Sequence, residues 1–253
     1  MRKEVDINMP RDHIEFLNTQ EQKWQSHDFP GFSTEIKQKL LSKDRQTGAI
    51  TSLISLPVGQ NTIGGSYNHS IEILLLEGIL KIGDEILGDL THVYVEKGAE
   101  LPSLTSLTMC ELLIMTEGTL EFQENVHGYE DKEMRIKKTS ELPWEGTITP
   151  GFPTGAMRKS LFKHPETGAS SWLLGVLPQF KDSRYEIHPV VEEGYQIYGN
   201  LNTSRGNFGE GHYFWRPAEI PHGDFNTQKG CLTFFRTDGP LQTTYIEASD
   251  LIK

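Results

Sequence analysis

The chain has 253 residues, 36% of them hydrophobic and 23% charged, as in ordinary globular proteins, and its length allows one large domain or two small ones. The formal net charge of −11 disfavours nucleic-acid and anionic-lipid partners, and no apolar run approaches the ~20 residues of a transmembrane helix. The N-terminus lacks the apolar core of a signal peptide, and the two distant cysteines form no disulfide framework, so a cytoplasmic location is expected.

The first segment of the chain, residues 11–24, reads RDHIEFLNTQEQKW and is the only stretch predicted to be helical. Beyond it, short apolar runs such as IEILLL, HVYV and CLTFF are separated by Gly, Pro, Asn and Asp, which predicts strands joined by turns. Their spacing is typical of a sandwich or barrel and not of alternating strands and helices. The expected fold class is all-β.

An internal repeat runs through most of the chain. Residues 39–49, KLLSKDRQTGA, parallel residues 159–169, KSLFKHPETGA, at a shift of 120 residues. After one inserted residue the shift becomes 121, and it then pairs Cys110 with Cys231. A register held over so many positions indicates two copies of one domain.

The repeat predicts the domain organisation. Residues 1–23 form an N-terminal extension, followed by a first domain over residues 24–122 and a second over residues 144–253. The polar segment between them, residues 123–143, is interpreted as a linker or an additional edge strand.

Four residues of the second copy form a candidate metal site. In the run YEIH, strand alternation sends Glu186 and His188 to the same face. Glu192 begins the next strand, and a proline turn within residues 211–226 is expected to return His222 towards the first pair. Imidazole and carboxylate together suit iron(II), manganese, nickel or zinc, and four ligands leave open positions on a six-coordinate ion.

These residues carry a resemblance to the cupin family, which is marked by the motifs G(X)5HXH(X)3–4E(X)6G and G(X)5PXG(X)2H(X)3N. Residues 180–199 match the first motif, with Phe180 in place of the opening glycine and Glu186 in place of the first histidine. Residues 211–226 match the second, with Glu219 in place of the middle glycine. The W…PGF, TGA and FWRP…PHG elements are similar to cupins of the anti-sigma-factor ChrR type.

The resemblance implies two tandem double-stranded β-helix (jelly-roll) barrels, with the metal in the C-terminal barrel. It implies that His188, Glu192 and His222 hold the ion, while Glu186 is a fourth ligand, a general base or a group that orients a ligand. One divalent ion is the expected cofactor, Fe²⁺ being favoured over Zn²⁺, Mn²⁺ or Ni²⁺. The expected partner is a small-molecule substrate, and a homodimer is left open.

The first copy is predicted to lack the metal site. At the shift of 121, the four candidate ligands correspond to Gly65, Tyr67, Ile71 and Leu101. His69 and Glu72 lie nearby but out of register, so alternation predicts that they face away from the interior. The first barrel is therefore interpreted as structural.

Three further residues of the second copy are candidate site residues. Gln196 and Tyr198 share the alternation of Glu192, so they are predicted to line the second barrel and to position or act on a substrate. Arg184 shares the parity of Glu186 and is predicted to bind an acidic substrate. The alternatives are hydrogen-bonded core residues for the first two and a solvated charge at the rim for the third.

The leading functional hypothesis is a metal-dependent enzyme that acts on a small organic molecule. The cupin resemblance implies, as one form of it, an iron(II) dioxygenase that cleaves a carbon–carbon bond. The alternatives are a non-catalytic sensor or binding module like the cupin part of ChrR-type regulators, and a metal-dependent isomerase or hydrolase. The fold alone does not choose, because cupins host many chemistries.

Overall fold

A computed structural model of the chain describes residues 9–32, 34–126, 129, 131–146 and 150–250. Within these ranges the secondary structure consists of strands and three short 3₁₀ helices, none of which is long and apolar enough to cross a bilayer. The predicted all-β class is confirmed. Residues 1–8 of the predicted extension and residues 251–253 of the second predicted domain lie outside the described residues.

The segment predicted to be helical forms a strand, so the helix prediction for residues 11–24 is wrong. Strand β1 spans Ile14–Asn18 and is followed by a 3₁₀ turn over Thr19–Glu21. Phe16 interrupts the strand with a left-handed φ of 57°, at a point where its pairing shifts register. Pairing with a distant strand overrides the local helical preference of this segment.

The chain forms two compact units. The first contains the residues up to Asp12 together with Gln22–Glu141, and the second contains His13–Glu21 together with the residues from Leu142 onward. The second unit therefore includes β1, although this strand precedes the first repeat in the chain.

The first unit is built from antiparallel strands around an aliphatic core. A seven-stranded sheet runs in the order β14-β9-β6-β12-β4-β3-β2, beside two three-stranded sheets, β10-β5-β13 and β11-β7-β8. The strands are β2 (Gln25–His27), β3 (Ile36–Lys43), β4 (Ile50–Leu56), β5 (Gly65–Tyr67), β6 (Ile71–Glu77), β7 (Leu80–Ile82), β8 (Glu85–Leu87), β9 (Thr91–Val95), β10 (Glu100–Leu101), β11 (Leu104–Ser106), β12 (Cys110–Thr116), β13 (Phe122–Glu124) and β14 (Met134–Lys138). A second 3₁₀ turn, Thr139–Glu141, ends the unit.

The second unit repeats this plan in one ten-stranded antiparallel sheet. Its main path is β15-β16-β22-β18-β21-β17-β23, and β19 and β20 pair with β18. Strand β1 extends it by pairing with β20, with Ile14 opposite Trp215. The strands are β15 (Ala156–Lys163), β16 (Ser170–Val176), β17 (Phe180–Ile187), β18 (Glu192–Thr203), β19 (Gly206–Gly209), β20 (His212–Arg216), β21 (His222–Thr227), β22 (Cys231–Thr237) and β23 (Thr244–Ile246); the 3₁₀ helix Ala248–Asp250 follows.

Strands β1 and β14 are equivalent in the repeat, at a shift of 120 residues, and each is followed by a 3₁₀ turn. Strand β14 lies at the edge of the first unit's sheet and pairs with β9, whereas β1 pairs with β20 of the second unit. Each strand that precedes a repeat in the chain thus belongs to the sheet of the other unit. The compact units therefore differ in composition from consecutive segments of chain.

Candidate metal centre

Strand register in the second unit places the candidate ligands. Strands β17 and β21 are antiparallel neighbours, and Glu186 lies directly opposite His222. Directly opposite side chains on one face of a sheet are within contact distance. Glu219 precedes His222 in a turn, and its backbone N–H donates to the carbonyl oxygen of His188 at 2.8 Å. Glu219 stands where the cupin motif has glycine, and its φ of 63° is the left-handed conformation that favours glycine.

The four candidate ligands converge on one region. The ligand atoms of Glu186, His188 and His222 all lie within 4.8 Å of one another. Nε2 of His188 is 3.5 Å from Oε2 of Glu186 and 3.7 Å from Oε1 of Glu192. Nε2 of His222 is 3.5 Å from Oε2 of Glu192. The structure brings together all four side chains, and their binding of a metal stays a prediction.

Backbone carbonyl groups fix how both imidazoles are oriented. Nδ1 of His188 donates to the carbonyl oxygen of Gln242 at 3.0 Å, and Nδ1 of His222 donates to that of Ile220 at 3.0 Å. Each ring therefore directs its Nε2 to the cluster, the arrangement usual for metal-ligating histidines. Nε2 of His188 is buried without a hydrogen-bond partner. Because buried polar atoms are nearly always satisfied, this donor set fits a bound cation.

Burial and charge act differently on the two histidines. Burial alone would lower the pKa of His188, but the carboxylates of Glu192 and Glu186 outweigh it and raise that pKa. Burial lowers the pKa of His222 well below its ordinary value, and the positive charge of Arg216 adds to the effect. His222 is therefore neutral at neutral pH, which is the form that binds a metal, whereas His188 must release its proton when a cation binds.

A buried arginine orients one of the carboxylates. Burial raises the pKa of Glu192, and the positive charges of His188 and Arg216 oppose that rise. Nη1 of Arg216 donates to Oε2 of Glu192 at 3.0 Å, and its Nη2 donates to Oε1 of Glu15 in β1 at 2.8 Å. Burial alone would raise the pKa of Glu15, but His13 and Arg216 lower it to about 2. Glu15 thus remains ionised and balances the charge of Arg216.

The cluster lines a cavity of the second unit that encloses roughly 820 Å³ of atom-free space, part of it open to solvent. A concave, mostly apolar site with a few converging polar groups is typical of a small-molecule site. Apart from the four candidate ligands, its polar lining includes Arg158 and Arg216. The apolar part of its wall is mostly aromatic, including Phe16, Trp172, Phe208, Phe214, Phe225 and Phe235.

Three predicted site residues lie outside the residues that line this cavity. Gln196 is buried, accepts a hydrogen bond from Thr233 at 2.6 Å and donates one to the carbonyl oxygen of Tyr198 at 2.9 Å. The prediction that Tyr198 faces the barrel interior is wrong, because β18 shifts register between Gln196 and Tyr198 and leaves Tyr198 59% exposed. Arg184 pairs with Asp182 at 2.6 Å and lies over the ring of Tyr245 instead of turning into the cavity.

Sequence reasoning missed several residues of the site. Strand β1 supplies two of them, and the sequence carries a signal for it, since TQEQKW at 19–24 parallels TSELPW at 139–144 at the shift of 120. Extending the repeat upstream would have identified β1 and β14 as equivalent strands. Arg216 lies in the FWRP element but was assigned no role, and Arg158 lies in no motif. The missed residues are Glu15, Phe16, Arg158 and Arg216.

Comparison with known sequences assigns the chain to one family. Residues 113–244 match the family described as a domain of unknown function (DUF4437). Among curated proteins none matches the sequence significantly.

Solved structures resemble the chain over most of its length. A dioxygenase candidate from Nostoc punctiforme is 23% identical, with a TM-score of 0.85 over 95% of this chain and 87% of that chain. Oxalate decarboxylase from Bacillus subtilis is 11% identical, with a TM-score of 0.58 over 97% and 79%. Salicylate 1,2-dioxygenase from Pseudoaminobacter salicylatoxidans is 10% identical, with a TM-score of 0.53 over 78% and 72%. At these identities the likeness establishes the fold alone, and it confirms the predicted cupin jelly-roll fold.

Proposed function

Since the chain belongs to the DUF4437 family and has the cupin fold, we propose that its second barrel is a metal-dependent enzyme site for a small organic molecule. The observation that carries this proposal is the convergence of Glu186, His188, Glu192 and His222 at an aromatic cavity. Two carboxylates held beside two imidazoles in an apolar environment are costly unless cations compensate them. A divalent ion supplies that compensation.

The residues around the proposed ion have separable roles. Arg216 holds Glu192 in place, and backbone carbonyls hold the two histidines with Nε2 directed inward. Glu186 is the most exposed of the four side chains, and it is the carboxylate best placed to exchange a proton with a substrate or solvent. A divalent ion bound by this set would act as a Lewis acid toward substrate oxygens.

The reaction class that we propose is the oxygen-dependent cleavage of a carbon–carbon bond, with Fe²⁺ as the ion. Mixed imidazole and carboxylate donors suit iron(II). The likeness to a dioxygenase candidate and to salicylate 1,2-dioxygenase supports this class, at the level of fold.

The test combines metal analysis with oxygen uptake. The purified chain is stripped with a chelator, reconstituted separately with Fe²⁺, Mn²⁺, Ni²⁺ or Zn²⁺, and assayed in an oxygen electrode with phenolic acids and diketones. We expect about one ion per chain, and oxygen uptake that requires both iron and an organic substrate. A chain that retains no ion would overturn the proposal. Anaerobic turnover would show an isomerase or hydrolase, and an inert, ion-loaded chain that binds a ligand tightly would show a sensor.

A further inference from the structure

Arg158 is a half-buried cation of the cavity, and within the described part of the chain its side chain has no ion-pair or hydrogen-bond partner. It lies on β15, and its guanidinium lies over the rings of Trp172, at 4.7 Å from the centroid, and Phe152, at 5.1 Å. Its Nε is buried and has no hydrogen-bond partner. Burial lowers the pKa of Arg158, and the negative charges of Glu192 and Glu186 oppose that fall. A guanidinium stays protonated in proteins, so the charge remains. A buried charge that is neither paired nor hydrogen-bonded is costly.

The other arginines of the second unit are all paired. Arg184 contacts Asp182, Arg205 and Arg216 contact Glu15, Arg216 also contacts Glu192, and Arg236 contacts Glu193. Among the described residues of this unit, Arg158 alone among the arginines has no carboxylate within 4.0 Å of its guanidinium. Its charge is therefore available to a ligand that enters the cavity.

The charges around the cavity leave one positive charge over. Among the side chains that line the cavity, Glu186 and Glu192 would together balance a divalent ion, and Arg216 is paired with Glu15, which Arg205 also contacts from outside the lining. The remaining charge is that of Arg158, which a ligand with a single negative charge would neutralise. A guanidinium binds carboxylates through two parallel N–H donors, and its contact with aromatic rings orients that fork.

We propose that the substrate is a small monocarboxylate with an apolar body, bound through its carboxylate by Arg158. Its body packs among the aromatic side chains of the cavity wall, such as Trp172, Phe214 and Phe235. This inference rests on the proposed function, because the charge balance assumes the bound ion.

The test uses benzoate and its neutral isostere benzamide, titrated calorimetrically into the ion-loaded full chain. Wild type is expected to bind benzoate at least tenfold more tightly than benzamide. Arg158→Gln should weaken benzoate binding by about 10- to 100-fold and leave benzamide binding unchanged, since a charged hydrogen bond is removed. Arg158→Lys keeps the charge without the fork and should fall between the two. Arg135→Gln, which removes an exposed arginine of the first unit, is the matched control and should change neither affinity.

Each outcome decides the question. Equal binding of benzoate and benzamide by wild type, or undiminished benzoate binding by Arg158→Gln, would overturn the inference. Loss of the preference in Arg184→Gln instead would assign the carboxylate to Arg184 and would overturn it as well. If the glutamine variant does not fold, as judged by circular dichroism, Arg158→Lys tests the same point. Metal content measured on each sample separates the two proposals: an ion-loaded chain without a benzoate preference refutes only this inference, whereas an ion-free chain refutes the proposed function.

Discussion

In the first unit Leu101 lies opposite Gly65 across paired strands, just as His222 lies opposite Glu186 in the second unit. The same strand register therefore brings together apolar residues in the first barrel and candidate metal ligands in the second. Tyr67, equivalent to His188, is buried in the first unit and donates to the carbonyl oxygen of Pro30 at 2.8 Å. The fold sets which positions meet, and the side chains decide whether they form a site or a core.

The two barrels also differ in how fully they are packed. The corresponding space in the first unit is about 360 Å³ and is lined almost entirely by apolar side chains. Aromatic wall residues of the second unit have aliphatic equivalents in the first at the shift of 121, and these are fully or almost fully buried. The four pairs are Phe208 with Leu87, Phe214 with Val93, Phe225 with Leu104 and Phe235 with Ile114.

One cross-strand pair is charged in the second barrel and aliphatic in the first. Glu192 lies opposite Arg216 in the second unit, and the equivalent residues in the first unit, Ile71 and Val95, also lie opposite each other. A buried ion pair in one barrel thus takes the place of an aliphatic contact in the other. Replacing buried ion pairs with packed apolar residues is often neutral or stabilising, so the pair is retained for another reason, which we take to be ligation.

The largest effect is expected from removing the imidazoles. His188→Ala or His222→Ala should lower the affinity for the divalent ion by about 100-fold or more, since each removes a proposed ligand whose orientation the backbone fixes. The loss of affinity is measured as the metal content of each variant after dialysis. His69→Ala in the first unit is the control, and an equal loss of metal in that variant would contradict the assignment of the site to the second barrel.

Breaking the buried ion pair should destabilise the second unit strongly. Arg216→Met leaves the charge of Glu192 buried without its partner and should cost about 3–5 kcal/mol in urea unfolding. The double variant Glu192→Ile, Arg216→Val copies Ile71 and Val95 and should recover most of that stability without binding metal. A double variant as unstable as the single one would contradict the view that an aliphatic pair can replace this ion pair in the second barrel.

A substitution of Gly65, the equivalent of Glu186, tests whether the first barrel has room for a side chain at this position. A Cβ at this position would lie 2.2 Å from the carbonyl oxygen of Gln123 and 2.5 Å from the ring of Phe122. Gly65→Ala should therefore lower the free energy of unfolding by about 1–3 kcal/mol through overpacking. Gly88→Ala, whose Cβ would meet no atom within 4 Å, should be tolerated. Equal effects of both substitutions would mean that packing does not exclude a larger side chain there.

The smallest effect is expected from strand β1. Glu15 has a folded-state pKa of about 2, below its ordinary 4.5, so its stabilisation is complete above pH 4.5 and is lost as the pH falls towards 2. Glu15→Gln should reduce stability by about 2 kcal/mol at pH 7, the usual size for a charged hydrogen bond. The difference from wild type in urea unfolding should shrink below pH 4.5. A difference that is constant between pH 7 and pH 3 would contradict a role for the charge.

Motif spacing predicted the cluster because cupin ligands occupy fixed positions on short strands. Strand alternation and the match to the cupin motifs identified Glu186, His188, Glu192 and His222, and the structure brings them together. Tyr198 was misplaced because alternation holds only while pairing is regular, and the register shift in β18 reverses it.

The sequence by itself determined the repeat, the all-β class and the asymmetry between a barrel with candidate metal ligands and one without, since these follow from residue identity and spacing. Only the tertiary structure decided that β1 belongs to the second unit and that Arg158 lies unpaired in its cavity. Strand pairing is a long-range choice, and the partner of a charge depends on side chains that converge from distant strands. Neither the pairing of a strand nor the partner of a charge can be predicted from the residues next to it in the sequence.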